Sequence, residues 1–247
     1  MEKTFKVQIK KVFPDHFEDT EDMVVNESPL FIFLNNTKVG TVFRMPGEDT
    51  ALSYGFLFSN FLIKPSEIKT FNLKENETYF TTDRIFKNIE PIVIYSSCFD
   101  EKGSNAINPI ESSLTIGREE VDKAKEAFKD VNTVFSETGS THYAALFEGS
   151  HLLYFYEDVG RHNAVMKVIG KMILDSKIGD DKFLLLSGRV SSEIVRIAVI
   201  SRIPMIISKG APTSLSIALA KEYKISIIGF LRGERFNIYT FPERIKL

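Results

Sequence analysis

The feature that most restricts the fold is a repeated order of strand, polar loop and helix in the second half of the chain. Four short apolar runs are bounded by polar, glycine-containing loops, and three of those loops lead into amphipathic runs. The predicted strands are 152–156, 183–186, 205–208 and 225–230, and the predicted helices are 164–174, 193–201 and 215–223. Strands that alternate with helices favour a largely parallel sheet, so we predict an α/β fold here.

Strand-like patterns dominate the first half. Alternation over 4–13 predicts a half-buried strand, and the acidic segment 16–28 predicts an exposed loop. Asn35 and Asn36 separate two apolar runs, which predicts a hairpin. Further predicted elements are a helix opening at 46–49, strands over 68–73, 79–82 and 92–95, a helix over 117–131, and a hairpin of 143–147 with 152–156. We expect a β-rich portion over residues 1–112 and an α/β portion over 113–247.

The composition argues against several classes of protein. The chain has 247 residues, 26% of them charged, and its formal net charge of -2 gives no sign of nucleic-acid binding. No apolar run is long enough to cross a bilayer, and no secretory signal is visible. The single cysteine, Cys98, excludes an intramolecular disulfide and argues against a cysteine-based zinc site. We therefore expect a cytoplasmic protein with no zinc or other bound metal of its own.

The loops after the predicted strands carry a concentration of cationic side chains. Parallel strands end at one edge of a sheet, so the loops that start near 157, 187, 208 and 230 should lie together. Their polar and glycine residues include Gly160, Arg161, His162, Ser187, Gly188, Arg189, Ser208, Lys209, Arg232 and Arg235. Helix N-termini, glycines and arginines together suit phosphate groups, which predicts a nucleotide-like ligand. The alternative is that the hydroxyls cap helices and the arginines are surface charges.

Cys98 is the candidate nucleophile. It follows a predicted strand and enters a long polar loop, and the neighbouring Ser96, Ser97 and Asp100 argue against burial. An exposed thiol can act as a nucleophile or carry a group if its thiolate is stabilised. The alternative is a small buried hydrophobic residue.

Several ordered motifs resemble those of the FdhD/NarQ family, the formate dehydrogenase accessory sulfurtransferases. The motifs are 156–165, 187–191, 211–215 and 229–230, with similar blocks at Thr138-Gly139 with His142 and at Pro46-Gly47 with 55–58. The resemblance implies a cytidine-deaminase-like three-layer α/β/α sandwich without the catalytic zinc. Its sheet would be mostly parallel, and a smaller β-rich N-terminal subdomain would precede it.

The resemblance also implies a function. Members of the family accept persulfide sulfur from a cysteine desulfurase and pass it to the molybdenum or tungsten bis-molybdopterin guanine dinucleotide cofactor for formate dehydrogenase. They bind that cofactor, or guanine nucleotides such as GDP that mimic its ends, and they form homodimers. Cys98 would carry the persulfide. The residues expected to contact the cofactor are Phe230, Leu231, Arg232, Gly233, Glu234, Arg235, Gly160, Arg161, His162, Asn163, Ser187, Gly188, Arg189, Ser208 and Lys209.

The chain departs from the family pattern at the sulfur loop. Cys98-Phe99-Asp100-Glu101 stands where the family commonly has C-x-x-C, so the second cysteine is absent. One thiolate can carry a persulfide, but it has no resolving partner. Two alternatives therefore stay open. One is a chaperone that binds the cofactor without transferring sulfur, and the other is a nucleotide-processing enzyme that uses His162 with Glu157 or Asp158 as acid and base.

Overall fold

The computed structural model describes residues 1–61, 63–86, 90–94, 108–127 and 133–246. Within these ranges the chain is a mixed α/β protein with two large β-sheets. Cys98 and the residues around it, 95–107, lie outside the described ranges, as does the end of the helix predicted over 117–131.

The secondary structure follows the predicted order, with a strand-rich first half and alternating strands and helices in the second. The strands are β1 (Thr4–Val12), β2 (Phe17–Val25), β3 (Ser28–Leu34), β4 (Thr37–Arg44), β5 (Thr70–Lys74), β6 (Glu77–Thr81), β7 (Ile92–Ile94), β8 (Ile116–Gly117), β9 (His142–Glu148), β10 (His151–Asp158), β11 (Lys182–Leu186), β12 (Met205–Ser208), β13 (Ser226–Arg232), β14 (Arg235–Thr240) and β15 (Ile245–Lys246). The helices are α1 (Asp49–Phe61), α2 (Arg118–Glu126), α3 (Val134–Thr138), α4 (Arg161–Leu174), α5 (Ser192–Ile200) and α6 (Ser214–Glu222). The sequence did not predict α3, because its five residues are too few to show a helical period.

A six-stranded sheet in the order β10-β9-β11-β12-β13-β14 forms the centre of the second half. Only β11–β12 and β12–β13 pair in parallel, while β9 is antiparallel to both β10 and β11, and β14 is antiparallel to β13. The prediction of a mostly parallel sheet is therefore wrong for the neighbouring pairs, because hairpins reverse the chain at both edges. Strands β10, β11, β12 and β13 nevertheless share one direction, so their carboxyl ends lie at the same edge.

The two faces of this sheet are covered by different helices. Leu184 and Ile206 belong to a buried cluster with side chains of α4, α5 and α6. The neighbouring positions Phe183 and Ile207 point the other way and pack in a second cluster with α2. This alternation is the period of two that a strand buried on both faces must show.

A five-stranded sheet in the order β5-β6-β3-β4-β7 forms much of the first half. The hairpin predicted around Asn35 and Asn36 is confirmed as β3–β4, and both asparagines have positive φ, 48° and 65°. A tight hairpin turn favours that conformation, and asparagine tolerates it.

The hydrophobic core joins the first and second halves of the chain. One buried cluster contains Leu30 and Phe56 from the first half together with Val165 and Ile194 from the second. Helices α1 and α4 cross so closely that a Cβ at Gly170 would lie 1.7 Å from the Ala51 carbonyl oxygen. The domain boundary predicted near residue 112 stays a prediction.

Residues 17–25 differ from expectation, because the acidic segment predicted as a loop is strand β2. It pairs along its whole length with β1 in a separate antiparallel ribbon. Lys6 and Lys10 form ion pairs across the ribbon with Glu21 and Asp19, at 2.9 and 2.7 Å. Opposite charges on facing strands stabilise such a pair, so the acidic residues fit a strand once the basic partner strand is present. Strand β1 is also more exposed than predicted, and Phe5 is 47% exposed.

Candidate anion-binding site

The loops at the carboxyl ends of β11 and β12 contact each other at one edge of the six-stranded sheet. The backbone N–H of Lys209 donates to the Leu186 carbonyl at 3.0 Å. The Ser208 hydroxyl donates to the Gly188 carbonyl at 2.5 Å. The predicted convergence of these loops is therefore present, and it follows from the shared direction of the strands that precede them.

Helices α4, α5 and α6 all begin at this edge. Thr213 caps α6 through its side chain, as the alternative explanation of the hydroxyl residues requires. Among the described residues, however, the N-cap positions of α4 and α5, Gly160 and Ser191, make no side-chain cap hydrogen bond. The backbone N–H groups at the start of a helix point out of its N-terminus, which favours an anion there, and at α5 the Glu193 carboxylate already lies among them.

Gly188 lies between Arg161 and His142. A Cβ at this position would be 3.2 Å from Arg161 Cβ and 3.3 Å from His142 Nδ1. The Ser187 hydroxyl lies 3.3 Å from His142 Nδ1 and accepts the backbone N–H of Tyr143 at 2.9 Å. Glycine at 188 therefore allows a cationic and a titratable side chain to come close together.

His142 also lies at this edge, and the prediction from strand-end loops did not place it there. It opens β9, which runs opposite to its neighbours, so the start of β9 lies at the edge where they end. Burial lowers the pKa of His142, and the nearby charges of Arg161, Arg189 and His162 lower it further. A prediction that considered only strand ends could not find this residue, because the antiparallel placement of β9 depends on pairing rather than on local pattern.

His162 is almost fully buried, with 2% exposure. Its Nε2 lies 3.2 Å from the Ser191 hydroxyl and 3.8 Å from a Glu193 carboxylate oxygen. The nearby His162 imidazole is the largest cause that lowers the pKa of Glu193 to about 2. The side chain that pairs with His162 is thus Glu193, which sequence reasoning did not single out.

Asp158 and Asn163 form a buried network under the loop between β10 and α4. Asp158 Oδ2 lies 2.8 Å from Lys167 Nζ, and Asp158 Oδ1 accepts the Asn163 amide at 2.8 Å. The same amide group donates to the Phe43 carbonyl at 2.7 Å, and Lys167 donates to the Met45 carbonyl at 3.1 Å. Asn163 is fully buried, so the structure places it as a support of the loop.

Glu157 has a structural role at the start of α3. Its carboxylate accepts the backbone N–H groups of Val134 and Phe135 at 3.0 and 3.1 Å and the Thr141 hydroxyl at 2.8 Å. Asp158 is thus bound to Lys167 and Glu157 to α3, whereas the nucleotide-processing alternative requires one of these acids to act together with His162.

The segment 230–235 forms a β-hairpin, so the loop that starts near 230 leads into a final strand and not into a helix. Strand β13 continues to Arg232, and β14 begins at Arg235. Phe230 has a φ of 53° and its N–H donates to the Gly210 carbonyl at 3.0 Å. A bulge in the ladder between Gly229 and Arg232 accompanies this conformation.

The predicted contact residues of this hairpin differ in exposure. Phe230 is 36% exposed, whereas Leu231 is 2% exposed and belongs to the buried cluster under α2. Arg232 Nε contacts the Lys209 carbonyl at 3.4 Å, and its guanidinium lies 5.8 Å from the Phe230 ring centroid. The carbonyls of Gly233 and Glu234 accept hydrogen bonds from side chains of α2, and Arg235 is exposed.

Taken together, the structure gathers four cations at one edge. Arg161 and Arg189 are close enough to His142 to lower its pKa, and Lys209 and Arg232 are joined through the Lys209 carbonyl. Lys209 Nζ also lies 5.2 Å from the Tyr143 ring centroid. The local positive potential of these four side chains can attract a multiply charged anion even though the protein has a formal net charge of -2.

In the described ranges, no group of three or more His, Cys, Asp or Glu side chains is arranged to hold a metal ion. Over the same part of the chain, no helix has both the length and the hydrophobicity needed to span a membrane. The position of Cys98 relative to the cationic edge stays a prediction, since that residue lies outside the described ranges.

Comparisons with known proteins agree with one another. The model of the FdhD/NarQ family matches residues 25–246. The chain is 39% identical to the sulfur carrier protein FdhD of Sulfolobus acidocaldarius over 98% of both chains. It is 34% identical to the same-named protein of Bacillus subtilis, with 92% of this chain and 91% of that one covered. A crystal structure described as a formate dehydrogenase accessory protein from Desulfotalea psychrophila has a TM-score of 0.82 and 25% identity, covering 98% of this chain and 99% of that one.

Proposed function

Because this chain belongs to the FdhD/NarQ family, we propose that it is a sulfur carrier that serves the maturation of formate dehydrogenase. Its cargo would be the molybdenum or tungsten bis-molybdopterin guanine dinucleotide cofactor, held at the cationic edge of the six-stranded sheet. A cysteine desulfurase would supply the sulfur. The observation that carries the proposal is the gathering of Arg161, Arg189, Lys209 and Arg232 beside helix N-termini that lack side-chain caps among the described residues.

The guanine dinucleotide ends of such a cofactor carry pyrophosphate groups, and the cations of this edge support contact with them. Arginines form charge-assisted, often bidentate hydrogen bonds with phosphate oxygens, and backbone N–H groups at a helix start add further donors. Gly188 leaves room for Arg161 and His142 to approach each other beside these donors, and Gly160 leaves room for the Asn163 side chain. Ser187 and Ser208 make backbone contacts that hold the loops together.

Phe230 offers an aromatic surface for a guanine base at the same edge. Its exposed ring lies beside the Arg232 guanidinium, and a flat base can stack on either group. The unusual positive φ of Phe230 is consistent with a position held for ligand contact. In this arrangement GDP mimics one end of the cofactor.

The sulfur step requires a thiol exchange at Cys98. The Cys98 thiolate attacks the outer sulfur of the desulfurase persulfide, forms a new S–S bond and releases the desulfurase thiolate. Since the chain has one cysteine, no second thiol of this chain can resolve the persulfide. Delivery therefore requires the acceptor to attack the outer sulfur of the Cys98 persulfide, which returns Cys98 to a thiolate.

Finer features of the proposal follow the family resemblance. They are a cytidine-deaminase-like three-layer arrangement of the second half, without zinc, a homodimer, and a cytoplasmic location. The helices on both faces of the six-stranded sheet support the layer arrangement. Contact with formate dehydrogenase and with a cysteine desulfurase completes the set of partners.

The test is activation of formate dehydrogenase in cells that lack their own accessory protein and are supplied with this chain or with Cys98→Ala. We expect Cys98→Ala to abolish activation while the purified variant still binds GDP. Mass spectrometry after incubation with a desulfurase and cysteine should place the added sulfur on Cys98. Full activation by Cys98→Ala would instead establish the second candidate, a chaperone without sulfur transfer, which the absence of a second cysteine favours.

A further inference from the structure

His142 has surroundings that differ from those of the other groups at the cationic edge. It is half-buried at the start of β9, with Nδ1 3.3 Å from the Ser187 hydroxyl and close to the position that a side chain at 188 would occupy. Nothing in the proposed sulfur transfer assigns a role to this imidazole.

The Ser187 hydroxyl can serve either protonation state of the ring. Its oxygen already accepts the Tyr143 N–H at 2.9 Å, and its proton can go to His142 Nδ1 at 3.3 Å or to the Tyr143 carbonyl at 3.5 Å. When the imidazole is neutral, the hydroxyl donates to Nδ1. When the imidazole is protonated, Nδ1–H donates to the serine oxygen and the hydroxyl turns to the carbonyl. A change of protonation therefore breaks no contact at this position.

Positive charge dominates around His142 while the carboxylates nearby are already engaged. The charged and titratable groups of the surrounding elements are Arg161 and His162 of α4, Arg189 and Glu193 around the start of α5, Lys209 after β12, and Glu157 and Asp158 at the end of β10. Glu157 is bound to α3, Asp158 to Lys167, and Glu193 lies beside His162. Burial of the ring, and after it the charges of Arg161 and Arg189, keep the pKa of His142 below its ordinary value of 6.5.

Building on the anion site proposed above, we propose that His142 takes up a proton when a phosphate-bearing ligand binds beside Arg161 and Arg189. The negative charge of the phosphate offsets the two guanidinium groups, so an imidazolium next to them becomes favourable. The protonated ring then adds a third cation to the ligand site. His142 is thus a positioning residue whose charge appears only when the ligand is present.

This coupling has a definite sign. The ligand raises the pKa of His142, and by reciprocity protonation of His142 raises the affinity for the ligand. Affinity for GDP should therefore increase as pH falls through the interval between the lowered pKa of the free protein and the higher pKa of the complex. Above that interval, His142 is neutral in both states and contributes no pH dependence.

The direct test is a histidine NMR titration of the full chain with and without GDP. The chain has four histidines, so His16→Gln, His151→Gln and His162→Gln assign the His142 signal by elimination. We expect the His142 signal to titrate below pH 6.5 in the free protein and to move to higher pH with GDP. An unchanged His142 titration in a GDP-saturated protein overturns the proposal and leaves the anion site standing. Absence of GDP binding at millimolar concentration overturns both.

Calorimetry gives a second measure that does not depend on assignment. Titrations of GDP in buffers with different ionisation enthalpies yield the number of protons taken up on binding. GDP itself titrates near neutral pH, so the informative quantity is the difference between the unmodified protein and His142→Gln. We expect the unmodified protein and His151→Gln to take up more protons than His142→Gln, by up to about one proton. Equal proton numbers in His142→Gln and the unmodified protein contradict the proposal.

Discussion

Lys167 Nζ and Asp158 Oδ2 form an ion pair of 2.8 Å in the protein interior, with side-chain exposures of 1% and 0%. Lys167 also donates to the carbonyls of Met45 and Glu157 at 3.1 and 3.2 Å. A single ammonium group thus connects the end of β10 and the residue that follows β4 to the middle of α4. These contacts stabilise the helix α4, which begins at Arg161.

Removing the Lys167 charge should strongly destabilise the protein. Lys167→Met leaves Asp158 buried without its cation, and loss of one partner of a buried pair costs about 3–5 kcal/mol. The measurement is urea unfolding followed by circular dichroism. Lys171→Met is the control, because Lys171 pairs with Asp175 at the same 2.8 Å but with exposures of 39% and 32%. An exposed ion pair contributes only about 0–1 kcal/mol to stability. If Lys167→Met and Lys171→Met lowered the free energy of unfolding equally, the role given to Lys167 would be wrong.

The close crossing of α1 and α4 should not tolerate a methyl group. Gly170→Ala places a Cβ 1.7 Å from the Ala51 carbonyl oxygen, and Gly55→Ala places one 2.0 Å from the Met166 carbonyl oxygen. Both helices must separate, and overpacking of this kind costs about 1–3 kcal/mol or more. Gly149→Ala makes the same chemical change in a surface turn where no heavy atom lies within 4 Å of the new Cβ. Any loss of stability in this variant therefore comes only from the positive φ of 54°. The midpoint temperature of thermal unfolding should be well below that of Gly149→Ala for both Gly170→Ala and Gly55→Ala.

Acid should destabilise the protein partly through Glu193. The folded state holds the pKa of this carboxyl at about 2, below its ordinary value of 4.5, so the unfolded chain binds more protons between these limits. The stabilisation is present above pH 4.5 and is lost as pH falls toward 2. Glu193→Gln should therefore have a lower free energy of unfolding at neutral pH. Its free energy of unfolding should also fall less steeply than that of the unmodified protein as pH decreases from 4.5 to about 2. Glu137→Gln, at an exposed position, should follow the unmodified protein, and an unaltered acid profile in Glu193→Gln would refute the assignment.

Loss of a cation at the ligand edge should weaken GDP binding. Arg189→Ala and Arg235→Ala should each reduce affinity by about 1–3 kcal/mol, since each removes one charged hydrogen bond to phosphate or guanine. Arg202→Ala, at the opposite end of α5, removes the same charge away from the edge and should bind GDP normally. Isothermal titration calorimetry at one fixed ionic strength measures all three. Normal affinity in Arg235→Ala would remove that residue from the site.

The Phe230 ring should contribute to binding the base and not the phosphates. Phe230→Ala should weaken GDP binding by about 1–3 kcal/mol, the usual value of an aromatic stack on a base, and leave pyrophosphate binding unchanged. Competition between the two ligands measures the difference. Phe5→Ala, which removes an exposed ring from the β1–β2 ribbon, is the matched control. Equal weakening of both ligands would mean that Phe230 acts by shaping the backbone.

Local pattern predicted much of this fold. The apolar runs and glycine-containing loops of the second half correspond to β10 to β13 and to the starts of α4, α5 and α6. The convergence of the loops followed from strand direction alone. That physical rule holds even though β9 lies between β10 and β11.

The remainder depended on contacts between distant residues. His142 reaches the edge because β9 is antiparallel, and Glu193 approaches His162 across two helix starts. Strand β2 pairs with β1 along its whole length, and lysines of β1 lie opposite its acidic residues. No local pattern of the sequence indicates these contacts, because each depends on which segments pair in three dimensions.

The contacts of Asn163 and Lys167 with the carbonyls of Phe43 and Met45 have a consequence for how the protein can be divided. The donors belong to the helix that carries the ligand loop, and the acceptors belong to the first half of the chain. Fragments separated near residue 112 would each keep one side of these hydrogen bonds. The cationic edge therefore requires both halves of the chain to fold together. The second half alone, fused to another protein, would lack the contacts that support the site.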